Sequence, residues 1–344
     1  MGLLTPGFSL QMSIFPFLNS SFLLHTVIMA NYTEGSETAS IEVHAVSFKN
    51  ICEATFAEQH RFSKRDVSIL VRVFHLDPFI ELSNRATIDS RVALCILLRK
   101  LVFPIRLCDL ESIYGIHRSI ISRTLNYLVR HIDDNFSYLL TLRKCICTQN
   151  SQSWANSISS AGGSLQTCLG FIDGTTKQIC RPQRHQKKLY NGHKRYHCLK
   201  YQAVTMPNGI VMDLSGPFIG IRYDARMVME SNIVERMARC FEMNDVIYGD
   251  PAYGMGNHIV CPYEGSNLSN AEQQFNQSMS RVRISVEWEF RSIPNLFKGL
   301  QYGKHWKLFL QPVGLFYRTG VILANIYTCL YGMRLPVILR IKWI

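Results

Sequence analysis

Basic residues are absent from the first 48 positions of this chain, and Lys49 is the first lysine or arginine. A secretory signal peptide begins with positive charge, so we do not expect one here, although the segment is apolar. Pro6 and Pro16 also interrupt the apolar run. Because residues 1–60 show no clear hydrophobic period, we interpret them as a variable or poorly ordered leader.

Cysteine pairs with metal-ligand spacing are almost lacking. Of eleven cysteines only Cys145 and Cys147 lie close together, as C-x-C, with no second pair to complete a zinc site. Several of the others lie in apolar settings, which is typical of reduced thiols that pack as small hydrophobes in an intracellular protein. The sequence therefore predicts neither structural zinc nor a disulfide framework.

Charge is sparse and unbalanced. Only 18% of residues are charged and 47% are hydrophobic, as in a globular protein with a sizeable core, and the net charge is +12. An excess of this size favours nucleic acid as a partner and, second, an anionic membrane. The apolar segment 313–333 raises the membrane question, but Arg318 and Asn325 within it favour a buried helix. We expect no membrane partner.

The positive charge is concentrated between residues 174 and 212, where eight cations occur and no acid. A solvated loop is the alternative, but uncompensated like charges repel one another and favour a polyanionic partner. From this segment we predict DNA contacts by Lys187, Lys188, Lys194 and Arg195, with Tyr190 and Tyr196 interleaved.

Residues 61–143 have helical periodicity. Ser63 and Asp66 predict one helix start, and Asp89 predicts another. Residues 109–126 read as a short helix, a turn at Gly115 and a second helix, which is the helix-turn-helix arrangement, and the stretch resembles lac-repressor-type motifs. We predict DNA contacts here; the alternative is a packing unit whose polar residues are only solvated. The outward side chains are Arg118, Ser119, Ser122 and Arg123.

Residues 144–165 are rich in Ser, Asn and Gly and read as a linker. Residues 166–335 then predict three antiparallel strands, a helix over about 225–241, a strand at 245–249 and a long helix over about 271–293. Pro207-Asn208-Gly209 predicts the hairpin turn. This order of elements predicts an α/β fold, a ribonuclease-H-like mixed sheet flanked by helices and preceded by the all-α helix-turn-helix region.

Three acidic residues are placed to form a metal site. Asp173 and Asp250 each end an apolar run, and Glu287 lies in a segment that reads as helix. In the predicted fold the first and fourth strands are neighbours, so the two aspartates converge and the helix completes the site. Carboxylate oxygens suit Mg²⁺ or Mn²⁺, and a paired site of this kind can drive phosphodiester cleavage.

Two further acids leave alternatives open. Asp224 lies where a helix should begin, so it is either a helix cap or a fourth metal ligand. Glu289 points about 200° away from Glu287 on a helix, so only one of them can face the site. The apolar neighbours Val286 and Phe290 favour Glu287.

Several motifs together resemble the PIF/Harbinger superfamily of DDE transposases and the nucleases derived from them. They are Asp173-Gly-Thr, the stretch 190–202, Gly216-Pro-Phe-x-Gly-x-Arg-x-Asp224, Gly249-Asp250-Pro-Ala-Tyr and Arg283-Ile-Ser-Val-Glu287-Trp. The resemblance covers residues 90–335 and implies a ribonuclease-H-like domain with Asp173, Asp250 and Glu287 as catalytic triad. It also implies a metal-binding role for Asp224.

The resemblance further implies a nuclear protein that works with a separately encoded Myb-like DNA-binding partner; the oligomeric state stays open. Glu289 and Arg291 depart from the family pattern, which has small residues there, so retained catalysis is an open question. We expect a metal-dependent DNA endonuclease. The alternatives are an inactive DNA-binding or protein-interaction module and, less favoured, a phosphatase acting on small esters.

Overall fold

The computed structural model describes residues 51–332 except Asn84, and it describes no side chain for residues 285–292. The leader before residue 51 therefore lies outside the described residues. Eleven α-helices are found in the described part: α1 Glu53–His60, α2 Lys64–Val73, α3 Ser90–Val102, α4 Leu107–Tyr114, α5 Arg118–Phe136, α6 Lys144–Ser160, α7 Gln186–Leu189, α8 Asp224–Ser231, α9 Ile233–Cys240, α10 Asn270–Leu296 and α11 Val313–Tyr331. The strands of the same part are β1 Phe79–Glu81, β2 Thr87–Asp89, β3 Cys168–Gln178, β4 Tyr190–Asn191, β5 Tyr196–Thr205, β6 Val211–Ile219, β7 Val246–Tyr248 and β8 Ile259–Val260.

Helix starts in the N-terminal half follow the capping chemistry of the sequence. Ser63 and Asp66 form a reciprocal capping box at α2, and the Asp89 carboxylate accepts hydrogen bonds from the first amides of α3. Gly115 ends α4 with φ at 65°, a left-handed conformation that glycine adopts without steric cost, and α5 begins at Arg118. The helix, turn and helix predicted here are present.

Three predictions for this half are wrong in detail. The end of the predicted leader forms α1, which buries Phe56 and His60. The region is not all helical, because β1 and β2 pair as a short antiparallel hairpin. Residues 144–160, predicted as a linker, form α6, which buries Trp154 and Ile158 against the sheet. Ser and Asn lower helix propensity only slightly, and packing of an apolar stripe outweighs them.

The second half is a mixed sheet flanked by helices, consistent with a ribonuclease-H-like fold. The strands follow the order β4-β5-β3-β7-β8, and β6 pairs with β5. β5 lies antiparallel to both of its neighbours β3 and β6. β7 lies parallel to β3, and β8 lies parallel to β7. Gly209 supplies the positive φ of the β5–β6 turn. The helix predicted over 225–241 is two helices, because Asn232 is left-handed between them.

Helix α11 joins the two halves. It packs on α5 and on β6, and Arg318 on α11 makes an ion pair at 2.5 Å with Asp133 on α5. It is long and apolar enough to cross a membrane, but 67% of its most apolar window is buried inside the protein. One hydrophobic cluster therefore continues from Leu94 of α3 through Phe316 of α11 to Tyr201 of β5.

Candidate active site

The two aspartates predicted as catalytic lie on neighbouring parallel strands. Phe171 of β3 is paired with Tyr248 of β7, and Asp173 and Asp250 each follow this pair by two residues. The sequence predicted that Asp173 ends a short strand; instead β3 runs on to Gln178, and Asp173 lies in its middle opposite Ala203 of β5. The two aspartates converge whether or not β3 ends at Asp173, because Asp250 follows the end of the neighbouring strand β7.

Asp250 is fixed by its own loop. It caps a single 3-10 turn, Pro251–Tyr253, and its Oδ1 accepts a hydrogen bond from the Ala252 amide at 3.0 Å. The Cys261 thiol lies 3.2 Å from the Asp250 carbonyl oxygen and donates to it. The second carboxylate oxygen, Oδ2, lies 3.6 Å from Nη2 of Arg283.

One guanidinium spans the two carboxylates. Arg283 Nη2 lies 3.7 Å from Asp173 Oδ1 and 3.6 Å from Asp250 Oδ2, and the Arg283 side chain is only 17% exposed. Arg283 belongs to α10, one helical turn before Glu287. The arginine therefore marks a position between the aspartates where positive charge is stabilised.

Asp224 is held elsewhere. Lys200 Nζ lies 2.7 Å from Asp224 Oδ1 and 2.7 Å from the Arg222 carbonyl oxygen, and the lysine side chain is 10% exposed. A Cβ built on Gly174 would lie 3.0 Å from Asp224 Oδ1. Since successive strand residues point to opposite faces, Asp224 approaches β3 from the face opposite to the Asp173 side chain. Asp224 is the first residue of α8, and the N-cap position is occupied by Tyr223.

Tyr253 lies beneath these acids. Its side chain is buried, and its hydroxyl has no hydrogen-bond partner among the described residues. Burial, and then the negative charge of Asp224, raise the pKa of this hydroxyl well above its ordinary value. A Cβ on Gly174 would approach the same hydroxyl to 3.2 Å, so the glycine leaves the space that Asp224 and Tyr253 use.

The third member of the predicted triad is located only by its backbone. α10 includes Glu287, as predicted, but the side chains of Glu287, Glu289 and Arg291 lie outside the described residues. Among side chains that the structure describes, no group of three His, Cys, Asp or Glu could hold a metal. The donors that do converge, Asp173 and Asp250, are oxygen ligands around a cationic position, and they fit a hard divalent cation.

The cationic segment forms an exposed flap beyond β3. We call residues 181–195 the basic flap; it contains α7 and β4, and Lys187, Lys188, Lys194 and Arg195 are exposed. Leu189 is buried and anchors the flap, and the Asn191 side chain donates to the Gly220 carbonyl oxygen at 3.0 Å. No cation of the flap pairs with a carboxylate among the described residues.

The predicted DNA contacts on α5 are partly engaged within the protein. Arg118 lies 3.9 Å from Glu111 of α4, and Arg123 donates to the Ser83 hydroxyl at 2.9 Å. Ser119 is exposed and Ser122 half-buried. These residues form one surface at the start of α5, and their contact with DNA stays a prediction.

A family model matches the part of the chain that carries these acids. Residues 172–323 match the DDE superfamily endonuclease family. The matched segment is a little under half of the chain and contains Asp173, Asp224, Asp250 and Glu287. No curated protein and no solved structure gives a significant match. The DDE match indicates a transposase-like nuclease domain, and DDE endonucleases generally use divalent metals.

Two residues of the DDE region were missed as site residues by sequence reasoning. Arg283 was noted only as part of a motif, although its position four residues before Glu287 places both on one helix face. Lys200 was counted among the cations of the flap region. A lysine inside the apolar strand run Cys198–Val204 is unusual, because a buried ammonium needs a partner, and that signal points to Asp224.

Proposed function

We propose that this protein is a metal-dependent DNA endonuclease of the transposase type, related to the PIF/Harbinger superfamily. The observation that carries the proposal is the meeting of Asp173 and Asp250 around one cationic position, which is occupied by Arg283 of α10, the helix that also includes Glu287. Within this proposal Asp173, Asp250 and Glu287 hold Mg²⁺ or Mn²⁺. When bound, such ions activate an attacking water or 3′-hydroxyl and stabilise the leaving oxyanion.

The protein's own residues have distinct tasks in this proposal. Asp173 is held by its pairing with Ala203 of β5, two residues beyond the β3–β7 pair Phe171–Tyr248, and Asp250 is held because its loop is capped and tied to Cys261. The basic flap holds the phosphate backbone of the DNA, and α5 adds a second DNA contact. The Lys200 ion pair favours a structural role for Asp224 over metal binding.

The cellular setting follows from the proposed family alone. We infer a nuclear protein that acts on DNA together with a separately encoded Myb-like partner and without a membrane partner.

The decisive experiment uses supercoiled plasmid with the full chain and Mn²⁺. We expect the wild type to nick the plasmid and Asp173→Asn to abolish nicking, because an amide is a poorer metal ligand, while DNA affinity is largely kept. Asp245→Asn is the matched control, since Asp245 lies just before β7 and away from the acids. Unchanged nicking by Asp173→Asn would disprove the assignment.

One observation favours a second candidate, an inactive DNA-binding or protein-interaction module. The Arg283 guanidinium already lies between Asp173 and Asp250, in the position that a metal ion would take. This candidate predicts DNA binding without nicking in Mn²⁺, and no shift of the melting temperature on adding the metal.

A further inference from the structure

An aromatic loop lies beside the basic flap. Residues 302–311, which we call the aromatic loop, follow α10 and precede α11. The Trp306 carbonyl oxygen accepts a hydrogen bond from the Cys180 amide at 2.9 Å, immediately before the flap. The rings of Phe309 and His185 lie 6.3 Å apart between centroids, so the loop and the flap meet at their tips.

The tip of the aromatic loop presents apolar side chains to solvent. Phe309 is 63% exposed and Leu310 is 77% exposed, whereas Trp306 of the same loop is 2% exposed. Trp306 donates its ring N–H to the Gly299 carbonyl oxygen at 3.0 Å and packs on Phe316 of α11. Trp306 therefore anchors the aromatic loop. Phe309 is exposed although the backbone of its loop is held in place.

The backbone at this meeting point is strained. Phe309 has φ at 72° and His185 at 56°, both in the left-handed region that non-glycine residues rarely adopt. Such residues persist where surrounding structure holds them, and they cluster at ligand-binding positions. Here they hold an exposed aromatic ring and an exposed imidazole next to each other.

The positive charge around the rings of Phe309 and His185 indicates what kind of partner binds here. Arg184, Lys187 and Lys188 are exposed next to His185, and Lys307 is exposed two residues before Phe309. None of these cations has a carboxylate partner among residues 51–332 as the structure describes them. Exposed rings between unpaired cations suit a single-stranded nucleic acid, whose bases stack on rings while its phosphates contact the cations.

We propose that Phe309 and His185 form a stacking site for unpaired nucleotides of the DNA that the basic flap holds. The inference rests on the proposed function for the identity of the nucleic acid. β3 connects the two sites: five residues separate Asp173 from the end of the strand at Gln178, a span of about 17 Å. The stacked nucleotides therefore lie to one side of the cleaved phosphate.

Binding is measured in EDTA, so that no cleavage occurs, with a short duplex carrying a 3′ single-stranded extension that contains 2-aminopurine. We expect wild-type protein to quench the 2-aminopurine fluorescence and to bind this probe more tightly than the blunt duplex. Phe309→Leu, which keeps an apolar side chain but removes the ring, should weaken binding of the extended probe about tenfold and leave the blunt duplex unchanged. Phe309→Trp, which keeps an aromatic ring, should match the wild type both in its affinity for the extended probe and in its quenching of the 2-aminopurine fluorescence.

Met243→Leu is the control, because Met243 is 91% exposed at a distant loop. Equal affinity of wild type and Phe309→Leu for the extended probe would overturn the inference. So would a change from dimer to monomer in Phe309→Leu with DNA affinity unchanged, since the surface would then bind a second copy. Failure of the proposed function is distinguishable, because the probe would still be stacked and bound while plasmid with Mn²⁺ stayed uncut.

Discussion

Arg283 and Asp250 form an ion pair of 3.6 Å between Nη2 and Oδ2, and the same nitrogen lies 3.7 Å from Asp173. A guanidinium and a divalent cation would compete for these carboxylates. We therefore expect Arg283→Gln to lower the free energy of unfolding in EDTA by about 1 kcal/mol. The same substitution should tighten Mn²⁺ binding roughly fivefold, which corresponds to about 1 kcal/mol.

The measurements are thermal unfolding in EDTA and Mn²⁺ titration by calorimetry. Arg281→Gln is the matched control, because Arg281 is exposed on the same helix and has no carboxylate partner among the described residues. Weaker Mn²⁺ binding by Arg283→Gln would show that the guanidinium supports the metal site.

Asp224 and Lys200 should behave as one structural pair. Asp224→Asn leaves a nearly buried ammonium with a single carbonyl partner, so we expect a loss of about 2 kcal/mol of stability. Lys200→Met should cost a similar amount, and the double variant should cost less than the sum. A Mn²⁺-induced rise in melting temperature should survive in Asp224→Asn and vanish in Asp173→Asn. Loss of that rise in Asp224→Asn would identify it as a ligand.

Gly220 holds the basic flap in place. A Cβ there would lie 2.3 Å from the Leu189 carbonyl oxygen, so Gly220→Ala must push the flap outward. We expect a loss of about 1–3 kcal/mol of stability and faster trypsin cleavage after Lys187 and Lys188. Gly192→Ala is the control, because a Cβ there meets nothing within 4 Å. Equal trypsin rates for the two variants would contradict this account.

The flap should contribute the salt dependence of DNA binding. Each phosphate contact that is removed lowers the slope of log affinity against log salt by about 0.9. Lys187→Gln with Lys188→Gln should therefore reduce the slope by about 1.8. Arg65→Gln with Arg72→Gln, two exposed positions on α2, serves as control and should leave the slope unchanged. An unchanged slope in the lysine variant would remove the flap from the DNA interface.

His60 should make the protein acid-sensitive. Burial lowers the pKa of His60 from 6.5 to about 4, and its ring lies 3.1 Å from the Tyr114 hydroxyl. The unfolded chain takes up this proton first, so stability is complete above pH 6.5 and falls as the pH drops toward 4. The full effect is about 3 kcal/mol. In urea unfolding, His60→Gln should be less stable than wild type at neutral pH, and the gap should narrow by pH 4.5.

The features that could be predicted from the sequence are those that depend on local capping and turn chemistry or on a strong hydrophobic periodicity. The caps at Ser63 and Asp89, the turn at Gly115, the β5–β6 hairpin and the neighbouring placement of Asp173 and Asp250 are confirmed. The linker prediction is wrong, because tertiary packing of Trp154 and Ile158 makes a helix from residues of modest propensity. The pairing of Asp250 with Arg283 could not be predicted, since it depends on which face of α10 packs against β3 and β7.

Helix α11 has a consequence for any attempt to excise the nuclease. Its apolar side chains are covered by α5 and by the cluster around Leu94, and both of these lie upstream of the segment that matches the DDE family. The matched segment begins inside β3 and ends inside α11. The limits of sequence similarity therefore do not coincide with the limits of the cooperative folding unit. A fragment cut at 172 and 323 would expose this helix and lose the first four residues of its 11-residue central strand, so we expect it to aggregate.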